Sequence, residues 1–93
     1  MMRYSTQPTA KFKKDVKRLK KRGYDLSLLK GIVDKLANGE TLPARNLDHP
    51  LKGDKKGRRD CHILNDWVLV YRLDTSASVL VLMETGAHSD IFG

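Results

Sequence analysis

Residues 58–73 read RRDCHILNDWVLVYRL. Two runs rich in β-branched and aromatic residues, 59–64 and 67–73, flank the polar pair Asn65-Asp66. Such residues fit a pleated surface, and a two-residue connection is the commonest hairpin loop. The spacing therefore predicts a β-hairpin, although Asn65-Asp66 is a weaker type I′ signal than Asn-Gly. A third run, 79–85, follows a short polar turn at 74–78. Val79, Val81 and Met83 alternate with Leu80 and Leu82, so the run is apolar on both faces, as in a central strand covered on both sides. Polar residues suited to chemistry (His62, Asp66, Trp67, Glu84 and His88) cluster where these strands turn or end.

Outward from the hairpin, the amino-terminal part reads as helical. Residues 2–5 suit a short opening strand. Thr9 is placed to cap a helix over 11–22, in which Phe12, Val16 and Leu19 recur at spacings of four and three and make one narrow buried stripe. Gly23 is a good helix stop. Asp25 suits the cap of a second helix over 26–38, with a wider stripe of Leu28, Leu29, Ile32, Val33 and Leu36. Only Gly23, Tyr24 and Asp25 join the two, so they should pack as an antiparallel pair with their apolar sides on the sheet. Residues 40–57 show little periodicity and are punctuated by Pro43, Pro50, Gly53 and Gly57. That length is unusual for an idle connection in so small a chain: it hides a helical turn or is held against the sheet for function. Ile91 and Phe92 are apolar near the carboxyl end and suit anchors for it.

The totals bound the class. Ninety-three residues, 40% apolar and 31% charged, suit one globular domain with a modest core. The single cysteine, Cys61, can form neither an internal disulfide nor a zinc cluster, and it reads as a small buried hydrophobe in a reducing, cytoplasmic setting. No leader pattern or membrane-length apolar run stands out. Charge carries more. Lys and Arg number 18 against 11 acidic residues, and 13 of those 18 fall in residues 11–22 and 52–59. Segregation of this kind favours a polyanionic partner, nucleic acid first and an acidic protein second.

The three histidines, His49, His62 and His88, lie at loops or strand ends in this reading, and each suits general acid or base work near neutral pH. Together with an aspartate they make a metal site conceivable, but no HxH or HExxH pairing is present and the three are widely spaced. A basic surface with histidines and carboxylates suits metal-free RNA cleavage. One group takes a proton from the 2′-hydroxyl, another gives one to the leaving 5′-oxygen, and cations hold the charge gathering on phosphate. DNA lacks the attacking hydroxyl. Trp67 and Tyr71 offer faces for base stacking, with a place in the core as the plainer alternative.

Four stretches carry a family resemblance: Asp48-His49-Pro50-Leu51 with Gly53; Arg59-Asp60-Cys61-His62; Asp66-Trp67 leading to Val70-Tyr71; and Thr85-Gly86-Ala87-His88 with Ser89 through Phe92-Gly93. In order and spacing the chain resembles bacterial toxins of the RelE/ParE superfamily, in particular the YafQ-type branch of ribosome-dependent mRNA interferases. The resemblance implies an α+β domain over residues 1–93. Two amino-terminal helices would pack on a small, mainly antiparallel sheet in the order strand, helix, helix, strand, strand, strand, with a short terminal segment. It also implies an endoribonuclease that cuts translated mRNA in the ribosomal A site. By position it implies His49, His62, Asp66 and His88 as catalytic residues, with Phe92 and Trp67 in support. His88 would do general acid or base work, Asp66 would serve the base side or orient, and His49 and His62 would position or exchange protons.

Residues 80–83 lack the arginine that many relatives place there, so Arg59, Lys52, Lys55, Lys56 or the neighbouring Arg58 would have to steady the phosphate, with Arg59 favoured. Lys13, Lys14, Lys17, Arg18 and Lys21 would face ribosomal RNA or an antitoxin. The implied partners are a cognate antitoxin, commonly dimeric, and the 70S ribosome with its ribosomal RNA and mRNA. Operator DNA would be met only indirectly, through the antitoxin. No cofactor, metal or membrane is implied. Two alternatives stand beside this reading: a non-enzymatic inhibitor of DNA gyrase, which other superfamily members resemble without this histidine set, and a basic RNA- or antitoxin-binding module.

Overall fold

In the computed structural model, which describes residues 2–93, the runs around Asn65-Asp66 pair as the expected hairpin. In chain order the strands are β1 (Ser5–Pro8), β2 (His49–Pro50), β3 (Arg59–Leu64), β4 (Trp67–Asp74) and β5 (Val79–Ala87). The helices are α1 (Ala10–Lys21), α2 (Leu26–Ala37) and α3 (His88–Phe92), with short 3-10 helices at Ala44–Asn46 and Gly53–Lys55. The five strands lie in the order β1-β5-β4-β3-β2. β1 runs parallel to β5 and the other neighbours are antiparallel, so the sheet is mixed.

Both long helices begin at the expected caps. Thr9 Oγ1 accepts from the Phe12 N–H at 3.1 Å, and Asp25 Oδ1 accepts from the Ser27 N–H at 3.0 Å, each satisfying a donor that the first turn leaves free. α1 ends before Gly23, whose φ of 82° lets the chain reverse at once into α2. Phe12 and Leu19 from α1, and Leu29, Ile32 and Leu36 from α2, close over Cys61, Trp67, Leu69, Tyr71, Leu80 and Leu82 of the sheet. Each such aliphatic side chain contributes on the order of 2 kcal/mol of burial. Trp67 and Tyr71 therefore belong to the core rather than to a stacking platform: they are 3% and 2% exposed.

The structure departs from the expected elements in five places. The opening strand lies at Ser5–Pro8, not at residues 2–5, because its partner β5 is met in that register, Ser5 opposite Val79. Residues 40–57 hold two 3-10 turns and the two-residue strand β2, fixed by pairing His49 with Asp60 and Pro50 with Arg59. The chain ends in a helix, α3, rather than in an irregular segment. At the hairpin tip Asn65 alone takes a positive φ, 51°, whereas a type I′ turn needs one at both central residues. On β5, Leu80 and Leu82 are buried while Val79, Val81 and Met83 are half-buried, since helices cover only one face. Among the described residues no helix is long and apolar enough to cross a membrane.

Candidate active site

Strand alternation puts Arg59 and Cys61 on one side of β3 and Asp60 and His62 on the other. The first side is the core. The second is the open face of the sheet, and there the histidines gather around Asp60. β2 sets His49 directly opposite Asp60, and His49 Nε2 stands 3.6 Å from Asp60 Oδ2. Asp60 is 1% exposed, and its Oδ1 is buried without a hydrogen-bond partner. Burial pushes its carboxyl above the usual carboxylate range, while His49, His62 and His88 pull the other way.

Backbone contacts orient the rings. His49 Nδ1 lies 2.6 Å from the Leu47 carbonyl, and His62 Nδ1 lies 3.2 Å from the Asn65 carbonyl. A carbonyl only accepts, so in the neutral rings the proton sits on Nδ1 and Nε2 is left as the acceptor. His88 opens α3, and its N–H donates to the Asp66 carbonyl at 2.7 Å. The His88 ring centroid is 6.1 Å from that of His62 and 4.7 Å from that of Phe92. One imidazole, His49, thus meets a sequestered carboxyl group, with the His62 and His88 rings paired nearby, and catalytic contacts of this length commonly tighten only around substrate.

The cationic rim is built by Glu84. Its carboxylate takes Lys55 Nζ at 3.0 Å, Lys11 Nζ at 3.9 Å and Arg58 Nη1 at 4.0 Å. Lys55 also lies 5.9 Å from the Phe92 ring centroid, which places a cation beside the His88 pair. Lys52 and Lys56 are exposed on the same segment. Arg59 is elsewhere. Its Nε donates to Asp48 Oδ1 at 3.2 Å, the Tyr71 hydroxyl donates to the same oxygen at 2.7 Å, and all three line a cavity with Tyr4 and Leu36. Burial, then the bond to Asp48, pushes the Tyr71 phenol up. Lys55, beside Phe92, and Arg58 are held on Glu84, whereas Arg59 is committed to Asp48.

Asp66 reaches the site through its backbone. Its side chain is exposed, makes no ion pair among the described residues, and lines a cavity with Tyr24, Leu28 and Trp67. Trp67 supports that turn from beneath: its Nε1–H donates to Thr85 Oγ1 at 2.9 Å, and its ring meets Tyr24 edge-on at 5.0 Å. On α1, Lys13, Lys14, Lys17 and Lys21 are exposed, while Arg18 is half-buried against Asp15, 3.4 Å away. Glu84 stands among the polar residues singled out from the sequence, though not as the hub of this rim, whereas Asp60 was not singled out for chemistry. Asp60 stands two residues before His62, in phase with it on the strand, and that spacing was the available signal.

A half-covered sheet that sets three imidazoles around a buried carboxyl, beneath a lysine-rich rim, defines a small basic α+β protein with an acid–base site. The family model described as "Bacterial toxin of type II toxin-antitoxin system, YafQ" matches residues 4–93, and the chain belongs to that family. It is 38% identical to the mRNA interferase toxin YafQ of Escherichia coli K12 over the full length of both. Among solved structures, YafQ in the E. coli DinJ-YafQ toxin-antitoxin complex superposes with a TM-score of 0.88 at 38% identity, over 99% of this chain and 100% of that one. A metal-bound toxin from Helicobacter pylori superposes with a TM-score of 0.89 at 40% identity, again over 99% and 100%. In this chain no three His, Cys, Asp or Glu side chains among the described residues converge as a metal-binding group.

Proposed function

We propose that the chain is a ribosome-dependent endoribonuclease that cuts translated mRNA in the ribosomal A site and is neutralised by a cognate antitoxin. The carrying observation is the placement of His49 against buried Asp60 and of the His62 ring 6.1 Å from that of His88, with Lys55 and Arg58 held on Glu84. The enzyme class follows from family membership, since an mRNA interferase is an endoribonuclease.

In the reaction the ribose 2′-oxygen attacks the adjacent phosphorus, the bond from phosphorus to the 5′-oxygen breaks, and a 2′,3′-cyclic phosphate is left. His62 and His88, whose ring centroids lie 6.1 Å apart, serve as the proton-accepting and proton-donating pair, with His88 protonating the leaving oxygen. His49, set opposite Asp60 with its Nε2 at 3.6 Å from the carboxyl, serves in positioning or in proton exchange. Lys55 and Arg58 steady the charge that builds on the phosphate oxygens. Phe92 packs on the His88 ring and limits its rotation. Asp66 serves the base side from the hairpin tip.

The exposed lysines of α1 and of residues 52–56 suit ribosomal RNA as well as an acidic antitoxin segment, and the two would compete for them. Translating ribosomes place the activity in the cytoplasm. Operator DNA enters only through the antitoxin. The test adds purified protein to a defined translation reaction and to naked transcript, and maps new 5′ ends. Cuts at fixed codon positions that require the ribosome are expected. No cuts in either setting, together with inhibition of DNA supercoiling, would overturn the proposal.

A further inference from the structure

Beyond the acid–base groups, a cavity of about 340 Å³ opens at the tip of the hairpin. It is lined by Arg45, Asn46, Leu47, His62, Leu64 and Asn65, so it shares the wall formed by His62 with the candidate active site. We propose that this cavity is a nucleotide subsite. It takes the base beside the scissile phosphate of single-stranded RNA, between Leu47 and Leu64. The inference rests on the endoribonuclease reading and adds where the substrate's base lodges.

Three observations converge on it. Leu47 and Leu64, 58% and 53% exposed, are the two most exposed large apolar side chains among the described residues, and both line this one cavity. Scattered exposed leucines are ordinary, whereas two facing one slot are not. Backbone strain is concentrated in the same place. Leu47 and Asn65 take φ of 48° and 51°, two of the three non-glycine residues at positive φ. A leucine there is strained where a glycine would not be, and strain of this kind gathers at ligand clamps.

The third observation is mechanical. The Leu47 carbonyl is the acceptor that holds His49, and the Asn65 carbonyl is the acceptor that holds His62. Asn46, 5% exposed, donates from Nδ2 to the His62 carbonyl at 2.7 Å, which ties the 3-10 turn to β3. The slot walls and two of the three imidazoles are therefore one hydrogen-bonded unit. A base seated in the slot sets the adjoining ribose and phosphate against His62.

The chemistry of the lining fits a nucleotide. Leu47 and Leu64 give two apolar faces for a flat ring. The Asn65 amide offers both a donor and an acceptor to a base edge, and the Arg45 guanidinium suits a phosphate. No Phe, Tyr or Trp lines the slot, so the two leucines supply its apolar clamp and His62 the one ring at its wall.

The test uses a short RNA whose 2′-hydroxyls are methylated, which blocks the attacking oxygen while keeping bases and phosphates. Its titration into the protein is followed by amide NMR shifts. Saturable shifts are expected at Leu47, Leu64 and Asn65. Binding should weaken at least tenfold in Leu47→Gly, which tolerates the left-handed backbone, and in Leu64→Asn. On programmed ribosomes the same variants should flatten the preference for the base beside the cut. Shifts confined to the α1 lysines, or variants that bind within twofold of the native chain, would overturn the subsite. If the native chain fills the slot but cuts no message, the subsite stands and the nuclease reading fails. If it cuts while these amides stay unmoved, the subsite alone fails.

Discussion

The N–H of His88 donates to the carbonyl of Asp66 at 2.7 Å, so the hairpin tip fixes the first residue of the terminal helix. The bond uses the backbone of Asp66 and leaves its carboxylate free. Asp66→Ala is therefore expected to melt within about 0.5 kcal/mol of the native chain, as surface changes usually do, yet to lose at least tenfold in cleavage. Thermal melts beside 5′-end mapping check this. A native cleavage rate would remove the carboxylate from the chemistry.

Asp60 makes stability depend on pH in an unusual direction for an aspartate. Its folded-state value lies above the ordinary 3.8, chiefly through burial. Below 3.8 both states hold the proton. As the pH rises from there towards the raised folded value, the unfolded chain releases its proton first, and stability falls across that window. Asp60→Asn removes the effect. Its melting temperature should gain on that of the native chain as pH rises through the window, with the gap steady below it, while cleavage drops. Parallel melting curves from acid to neutral pH would contradict this.

The phosphate-steadying role divides two cations that lie on opposite faces of the sheet. Lys55→Ala should lower cleavage about tenfold or more, because it removes charge beside His88 and Phe92. Arg59→Gln should leave cleavage within about threefold and lower stability instead, because Arg59 is committed to Asp48. Rates and melts for the pair of variants decide it, and the reverse pattern would restore Arg59 to the site.

Asp15, 1% exposed, accepts the Thr85 N–H at 3.1 Å and faces Lys11 and Arg18 at 2.7 and 3.4 Å. It binds α1 to the strand that leads into His88. Asp15→Ala leaves a buried N–H and the Arg18 guanidinium, which meets Asp15 through Nη1, without a carboxylate, at a cost on the order of 3 kcal/mol. Denaturant titration should show that loss, and a change under 1 kcal/mol would mean that the contact is dispensable.

Much of this fold was legible because its main elements carry local signals. The β-branched runs flanking Asn65-Asp66 declare the hairpin, and Thr9 and Asp25 announce the helices one residue ahead of their first turns. The unread parts owe their structure to distant partners. His49-Pro50 is a strand only because Asp60 and Arg59 lie beside it, and Ser5–Pro8 is polar, exposed and ordered by β5. Five residues of α3 are too few to show a helical period. The three histidines could be picked from the chain, but not their common centre. A charged residue in a strand reads as solvent-facing until its neighbours are placed, and Asp60 becomes a buried hub only when β2 brings His49 across it. Arg59, three residues before His62, lies on the other face of the strand, where it meets Asp48.

The most direct measurement compares the native chain with His88→Ala on translating ribosomes, with new 5′ ends counted in a single round and the fold of each protein checked by its melting temperature. Loss of one acid–base group of this kind is worth roughly 10²–10⁴ in rate. The expected result is a loss of that size, at the same cut positions, in a variant that melts like the native chain. Full cleavage by folded His88→Ala would contradict the central claim that the histidines gathered at Asp60 carry the reaction.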